Sequence, residues 1–385
     1  MRAHRLILLL LLGGPAIAAA QDPEPTLEAE RYPSWRTSYF PYLKSAANDG
    51  PMLVFRVRHW RPAEYEGRTT YDAAFNFDAG ITARGSRYVS AQFKAPNLWQ
   101  GWRLSVLGVA ERQVRYGFFG LGNETVKDDD LVTEDNPFLY RMRRSRYRGS
   151  AEVTRHLKGA LQLALLTEYE HTHFTSLPGP SVFAAEFPTG ELNQDDLTGR
   201  LALIYDTRDT EYNTQRGLLL EAGTQVGSGS DGYTRQYAIF RGYLPLREGT
   251  VVAARIGGSG MGGTPPLDAR FVLPGWENQV PVIGGEYSNR GLDTGRLTGT
   301  GTLFGNLEVR HDVLSLGDLG AVTLLGFVDV GRVFEEESFR LTTEDMKVGA
   351  GGGVALRILR SSIFVFNFAG GSEGFNFSAG TGWMF

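Results

Sequence analysis

Two histidines are the residues whose spacing comes closest to a chemical site. His171 and His173 are two residues apart, so on a strand both imidazoles would lie on one face and could offer two ligands to a metal ion. No third ligand is evident nearby, so we expect neither a metal nor any other cofactor. The sequence also has no Gly-x-Ser-x-Gly elbow, phosphate-binding loop or zinc-protease helix. We therefore expect a protein that is not an enzyme. A hydrolase that assembles its Ser, His and acids from separate strands stays open as an alternative.

Charged clusters in the chain have simpler interpretations. Alternating arginines on a strand would place some side chains outside, where they could meet lipopolysaccharide phosphates, and others in water. A solvated wall is the favoured reading for this cluster, which comprises Arg141, Arg143, Arg144, Arg146 and Arg148. Without residues 1–20, which hold two of the 39 basic residues and none of the 43 acidic ones, the net charge is 37 − 43 = −6. This mild acidity disfavours nucleic acid as a partner.

The first twenty residues predict export. Arg2 and Arg5 form a basic start, residues 6–12 form a short apolar run, and the alanines at 18–20 suit cleavage before Gln21. This pattern is typical of a secretory signal peptide and is too short for a membrane-spanning helix, although a membrane anchor is the alternative. The chain has no cysteine, so an exported form cannot use disulfides and needs another source of stability. A closed barrel would supply it, because every strand then pairs on both sides.

The elements that position the charged residues are strands of alternating polarity. Leu307 and Val309, for example, alternate with Asn306, Glu308 and Arg310. Such alternation is typical of a transmembrane barrel, in which apolar side chains face lipid and polar ones face the interior. The predicted strands are 37–46, 51–60, 69–84, 87–95, 102–116, 138–156, 160–173, 196–206, 217–228, 233–244, 250–259, 299–312, 319–334, 346–359, 362–369 and 374–385. We predict an all-β, sixteen-stranded antiparallel barrel over residues 37–385, preceded by a short periplasmic tail at 21–36.

The lengths of the connections fix the orientation that we expect. If the first strand rises from the periplasm, the long segments 117–137, 174–195, 260–298 and 335–345 all fall outside. The gaps at periplasmic turns are short, as outer-membrane barrels require. The chain then ends on an aromatic strand, with Phe375, Phe377, Trp383 and Phe385 expected on the outer, lipid-facing side.

Four motifs, in order along the chain, resemble the barrel of the BamA/TamA superfamily, also called the bacterial surface antigen family. Arg290 and Gly291, within 284–292, resemble the sixth external loop of that family, although Asn289 and Leu292 differ from its usual flanking residues. The remaining motif residues are Tyr205, Asp206, Arg208, Asp209 and Gly217 at a strand end; Phe327, Asp329 and Gly331 on a late strand; and Ser378, Gly380, Trp383 and Phe385 in a C-terminal assembly signal.

The resemblance implies that the long sixth loop folds into the lumen and that Arg290 reaches an inward carboxylate. Alternation places Asp329 on an inward face, and Glu308 and Arg310 could join the network. The alternative is that Arg290 lies in a solvated loop. Gly291 is expected to allow a tight turn or a close backbone approach. For Asp206, Arg208 and Asp209 we expect local pairing at a turn.

The function implied by the resemblance is assembly, insertion or translocation of protein at the outer membrane of a Gram-negative bacterium. The alternatives are a passive outer-membrane channel or a structural surface protein. Assembly factors of the family carry periplasmic POTRA domains, for which residues 21–36 are too short. The expected partners are therefore a separate periplasmic module or an unfolded client protein, membrane lipid and lipopolysaccharide, and the assembly machinery that inserts the barrel itself.

Overall fold

The computed structural model describes residues 34–64, 67–277, 279–281, 283–335, 339–359 and 361–385. The predicted signal peptide and most of the predicted periplasmic tail lie outside the described residues. Sixteen antiparallel strands form a single sheet that curls into a nearly closed barrel. The all-β, sixteen-stranded prediction is therefore confirmed.

The barrel strands follow the chain order, and each pairs with its neighbour in sequence. They are β1 Arg36–Ser45, β2 Pro51–Pro62, β3 Tyr71–Thr82, β4 Arg87–Trp99, β5 Trp102–Gly117, β6 Arg141–Lys158, β7 Leu161–Ser176, β8 Glu191–Asp206, β9 Gly217–Gly227, β10 Tyr233–Arg247, β11 Thr250–Gly263, β14 Gly301–Ser315, β15 Gly320–Phe334, β16 Lys347–Ile358, β17 Ser362–Gly371 and β18 Gly374–Thr381. Between β11 and β14, a separate two-stranded ribbon joins β12 Val272–Leu273 to β13 Val280–Pro281. A single helical turn, α1, covers Val182–Glu186.

Alternating burial gives the barrel wall an apolar outer face and a polar inner face. Along β8, Leu197, Leu201 and Leu203 are exposed, whereas Thr198 and Arg200 between them are buried. The pattern has the two-residue period of a strand, and it recurs in β7, β10 and β17. Polar side chains are thereby collected on the inner face.

None of the helices among the described residues is long and apolar enough to cross a membrane.

The long connections share one end of the barrel. Residues 118–140, 177–190, 264–300 and 335–346 each follow an odd number of barrel strands, so antiparallel order brings them together. The opposite end has short turns, such as residues 100–101, 159–160 and 248–249. The predicted segregation of connection lengths is confirmed, and we refer below to the long-connection end and the short-connection end.

The barrel has a seam between its first and last strands. In the described part of the chain, β1 pairs only with β2, and β18 pairs only with β17. At eight residues, β18 is the shortest strand of the barrel sheet. Each of these two strands therefore presents one edge without a strand partner.

The prediction that the closing strand runs to Phe385 on the outer face is wrong. The strand ends at Thr381, and Gly382 follows at φ +82°, a left-handed conformation that turns the chain out of the sheet. Phe385 is only 8% exposed and packs with Tyr243 and Val251 on β10 and β11. The physical reason is that these apolar residues, together with arginine side chains on the inner wall, offer the terminal ring a buried place that the outer face does not.

Candidate functional site

The candidate site is the set of contacts that joins residues 264–300, called here the long loop, to strands of the barrel. Arg290 makes its main contacts with Asp329 on β15. Its Nε donates to Asp329 Oδ2 at 2.8 Å, its Nη2 donates to Oδ1 at 2.8 Å, and its backbone N–H donates to Oδ2 at 3.0 Å. The remaining guanidinium nitrogen, Nη1, donates to Glu308 Oε1 at 2.5 Å. One arginine thus joins the loop to two adjacent strands, β14 and β15, through charge-assisted hydrogen bonds.

A second layer of side chains orients the two carboxylates. Arg310 Nε donates to Glu308 Oε2 at 2.8 Å, and Asn306 Nδ2 donates to Asp329 Oδ1 at 2.8 Å. The guanidinium of Arg290 also lies 3.3 Å from the ring centroid of Phe327, which places it over an aromatic face. These groups hold both carboxylates in place, so Arg290 meets a preformed partner.

Glycines let the backbone of the long loop approach the wall. A Cβ at Gly291 would lie 2.6 Å from Cα of Gly349, and a Cβ at Gly371 would lie 2.5 Å from the carbonyl oxygen of Gly291. A Cβ at Gly331, in the late-strand motif, would lie 2.4 Å from Cδ1 of Ile283. Of the two roles predicted for Gly291, the structure places it at a close backbone approach.

The other end of the long loop is anchored by Trp276 and Glu277. Trp276 Nε1 donates to Thr154 Oγ1 on β6 at 3.0 Å, and its backbone N–H donates to Glu221 Oε2 on β9 at 2.8 Å. Glu277 accepts from Arg208 Nη2 at 2.6 Å and from Arg241 Nη1 at 2.8 Å. The two ends of the loop therefore contact different groups of strands.

Two glutamates of the long loop have opposite electrostatic environments. Burial alone would raise the pKa of Glu277, but the guanidinium groups of Arg208 and Arg241 outweigh it and lower the pKa to about 2. Burial raises the pKa of Glu286 to about 7, because only Tyr287 and the more distant Lys44 favour its charged form. Glu286 Oε2 lies within 3.2 Å of the position of a Cβ on Gly380, so this carboxyl sits against β18 at the seam.

Residues 72–383 match the family model described as the Omp85 superfamily domain. The chain belongs to the Omp85 superfamily. The predicted membership of the BamA/TamA type of barrel is thus confirmed at the level of this superfamily, and with it an outer-membrane setting. No curated protein matches the sequence significantly.

Solved structures show the same fold at low sequence identity. BamA from Haemophilus ducreyi lacking POTRA domains 1–3 is 12% identical with a TM-score of 0.57, over 92% of this chain and 76% of that one. CdiB from Escherichia coli is 11% identical with a TM-score of 0.56, over 90% of this chain and 62% of that one. CdiB from Acinetobacter baumannii is 12% identical with a TM-score of 0.50, over 92% and 66%. The Omp85 barrel described here thus spans less than two thirds of the CdiB chains.

The strand-end motif of this Omp85 barrel forms local contacts and two long-range contacts, one of which joins Asp206 Oδ2 to Arg68 Nη2 at 2.8 Å. Arg208 Nε donates to Asp206 Oδ1 at 3.0 Å, and Asp209 Oδ1 accepts from the backbone N–H of Thr210 at 2.9 Å. The link from Arg208 to Glu277 is additional and joins this turn to the long loop. Gly217 has φ +103°, and a Cβ there would lie 2.4 Å from the carbonyl oxygen of Thr207. Tyr205 lies on the exposed face.

The C-terminal motif of the Omp85 barrel is divided between two environments. Ser378 and Gly380 belong to β18. Trp383 lies beyond the strand; its Nε1 donates to Asn213 Oδ1 at 2.8 Å, and its ring lies 4.3 Å from the guanidinium of Arg310. Arg310 Nη2 also donates to the carbonyl oxygen of Phe385 at 3.2 Å. The chain end and the Arg290 network therefore share Arg310.

The two histidines of the sequence analysis lie on the outer face of β7. His171 Nδ1 lies 2.9 Å from Asp195 Oδ1, which also accepts from the Tyr169 hydroxyl at 2.6 Å. Among the residues that the structure describes, no three His, Cys, Asp or Glu side chains are grouped to hold a metal ion.

Sequence reasoning missed several residues of the site. Glu277, Trp276 and Gly371 belong to no motif that was singled out, and their roles depend on contacts between distant segments. The regular spacing of glycines at 349, 351 and 353 on β16 was the only available signal for the close approach.

Proposed function

We propose that this Omp85 barrel inserts or translocates polypeptide at the outer membrane and that it acts without covalent chemistry. Membership of the superfamily supports this role, and the main structural observation behind it is that β1 and β18 each have an unpaired edge. An unpaired strand edge presents backbone N–H and C=O groups to which another strand can add. In this mechanism, a client strand pairs at the seam and leaves the barrel sideways into the membrane.

In the proposed mechanism, the long loop occupies the interior and stiffens one side of the seam. Arg290 ties it to β14 and β15, and the glycines at 349 and 371 bring it against β16 and β17. The last strand, β18, is short and is joined to the loop neither by Arg290 nor by these glycines. Movement at the seam is then concentrated in β18 and β1, while the wall behind them stays fixed. Arg290 is a positioning residue in this mechanism.

An insertion assay tests the proposal. The purified barrel is reconstituted into liposomes, and the folding of an urea-unfolded outer-membrane client is followed by its resistance to protease. We expect the barrel to accelerate client folding and Arg290→Ala to abolish the acceleration. Arg340→Ala is the matched control, because it removes an exposed ion pair with Glu344 that is remote from the loop contacts. Equal client folding with and without the barrel would contradict the proposal.

A second candidate function, passive conduction, is favoured by three adjoining cavities along the wall formed by β1–β10. Their volumes are about 230, 140 and 260 Å³ from the long-connection end toward the short-connection end. Gln92 and Arg148 line the first two, whereas Lys94 and Glu152 line the second and third. The shared lining describes a narrow polar route beside the long loop.

Planar-bilayer recording separates the two functions. A passive pore predicts steady conductance whose ion selectivity changes with Lys94→Glu, and no acceleration of client folding. Insertion predicts acceleration that Lys94→Glu leaves intact. Hydrolysis of ester or peptide substrates by the purified barrel would instead support the enzyme alternative.

A further inference from the structure

Two arginines lie directly opposite each other on the outside of the barrel. Arg87 on β4 pairs in register with Arg112 on β5, and both side chains are exposed on the outer face. Neither makes a hydrogen bond or an ion pair with any residue that the structure describes. Like charges that face each other across a strand pair destabilise a sheet. An outside anion that binds both arginines would offset this repulsion.

The neighbouring strands add further polar groups to this place. Arg112 is opposite Ser145 on β6, so Arg143, two residues away on the same face, is its diagonal neighbour. Arg143 is opposite Thr175 on β7, and Ser145 is opposite His173. Arg143 Nε, His173 Nε2 and Thr175 Oγ1 are buried atoms without a hydrogen-bond partner. Three polar atoms that could each take a further hydrogen bond therefore adjoin the arginine pair.

Along the barrel axis, this cluster lies at the height expected for lipid headgroups. Tyr147 and Tyr169 are exposed on the outer face in the next rows toward the short-connection end, and apolar side chains such as Leu165 and Leu201 follow. Aromatic rings of this kind mark the edge of the lipid-facing band of a barrel. Two acids of the outer face lie on β8 nearby: Glu191 is exposed and opposite Thr175, and Asp195 is engaged by Tyr169 and His171.

We propose that the outer face of β4–β7 binds the phosphate of a phosphorylated glycolipid in the leaflet at the long-connection end. The site, called here the arginine patch, consists of Arg87, Arg112, Arg143, His173 and Thr175. Guanidinium groups pair with phosphate bidentately, and the imidazole and hydroxyl can add hydrogen bonds. The occupant is a lipid because the apolar wall continues directly below the patch, where acyl chains can lie while the headgroup meets the arginines. This inference is independent of the proposed insertion function.

Native mass spectrometry of the full barrel in an uncharged detergent tests the patch, with diphosphoryl lipid A as the probe. We expect the double variant Arg87→Gln/Arg112→Gln to bind lipid A roughly 30-fold more weakly, as for two charges lost at headgroup level. The matched control is Arg155→Gln, an exposed arginine stacked on Trp102 near the short-connection end. It should bind lipid A as the natural chain does. Unchanged binding by the double variant, or equal loss in the control, would overturn the proposal.

Two further measurements separate a lipid site from a role of the arginines in folding and from a site for free phosphate. In detergent without lipid, the double variant should unfold at a temperature equal to or above that of the natural chain, because repulsion is relieved. A lower unfolding temperature would show that the arginines serve the fold and would overturn the proposal. Sodium pyrophosphate should not displace lipid A at equal concentration, whereas complete displacement would make free phosphate the ligand and reject a lipid site.

Discussion

The two ends of the long loop are held by the same chemistry in different surroundings. At one end, Arg290 is 3% exposed and Asp329 is fully buried, and glycines bring the backbones into contact around them. At the other end, the side chain of Glu277 is 20% exposed and lines two of the three cavities. The first is a nearly closed contact that adjoins a cavity of only about 20 Å³, and the second lies beside cavities of about 140 and 260 Å³.

The difference shows which anchor determines the position of the loop. A charged group beside so small a cavity has room for about one water molecule in place of a lost partner, so breaking one pair leaves the other charge poorly satisfied. Water in an adjoining cavity can replace a lost partner at much lower cost. We infer that the Arg290 end determines where the loop lies and that the Glu277 end can yield.

The largest expected effect is the loss of the carboxylate that meets Arg290. Asp329→Asn removes its charge while keeping its shape, and we expect the free energy of unfolding to fall by about 3 kcal/mol, as for a broken buried pair. Urea titration of the purified barrel, followed by tryptophan fluorescence, measures the change. Asp345→Asn is the control: Asp345 is 65% exposed and lies 3.7 Å from Arg332, so its replacement should change stability by less than about 0.5 kcal/mol. Equal effects of the two variants would contradict a closed anchor.

An intermediate loss of stability is expected from adding a methyl group where a glycine contacts the loop backbone. Gly371→Ala places a Cβ 2.5 Å from the carbonyl oxygen of Gly291, so the loop or β17 must shift, at a cost of about 1–3 kcal/mol. The adjacent Gly370 has no atom within 4 Å of the same position, so Gly370→Ala should cost much less. The same urea titration compares them. If both variants lose equal stability, the effect comes from the strand and not from the loop contact.

The smallest effects are opposite pH trends from the two glutamates of the loop. The lowered pKa of Glu277 stabilises the fold above its ordinary value of 4.5, and this contribution is lost as the pH falls toward about 2. The raised pKa of Glu286 acts in the other sense: its contribution is present below 4.5 and is lost as the pH rises through about 7. The unfolding temperature of each variant is measured between pH 3 and pH 9. Its rise with pH on the acid side should disappear in Glu277→Gln, and its fall with pH near neutrality should disappear in Glu286→Gln. A slope that both variants retain would originate elsewhere.

Strand alternation was sufficient to predict the barrel. Residues such as Leu307 and Glu308 differ in polarity because they face lipid and interior, and this difference is written into adjacent positions of the sequence. The meeting of Arg290 with Asp329 depended on motif resemblance together with the inward face that alternation assigned to Asp329. Both predictions use information that is local in the chain or shared with a family.

The remaining contacts join residues that are far apart in the sequence, and no local sequence pattern predicts them. Gly370 and Gly371 are adjacent and identical in type, yet only one faces the loop backbone. Glu277 acquires its role from Arg208 and Arg241, which belong to distant segments. The outward alternation of Trp383 and Phe385 predicted a strand, but the left-handed Gly382 ends it and partners across the interior determine where the chain goes.

The tucked chain end imposes an order on the maturation of this barrel. Phe385 packs on β10 and β11, so it finds its place only after the wall five and six strands away from β18 has formed. Until then, the Phe385 ring has no wall to pack against and stays open to solvent. Completion of the cylinder buries this ring, so its accessibility distinguishes an unfinished barrel from a finished one.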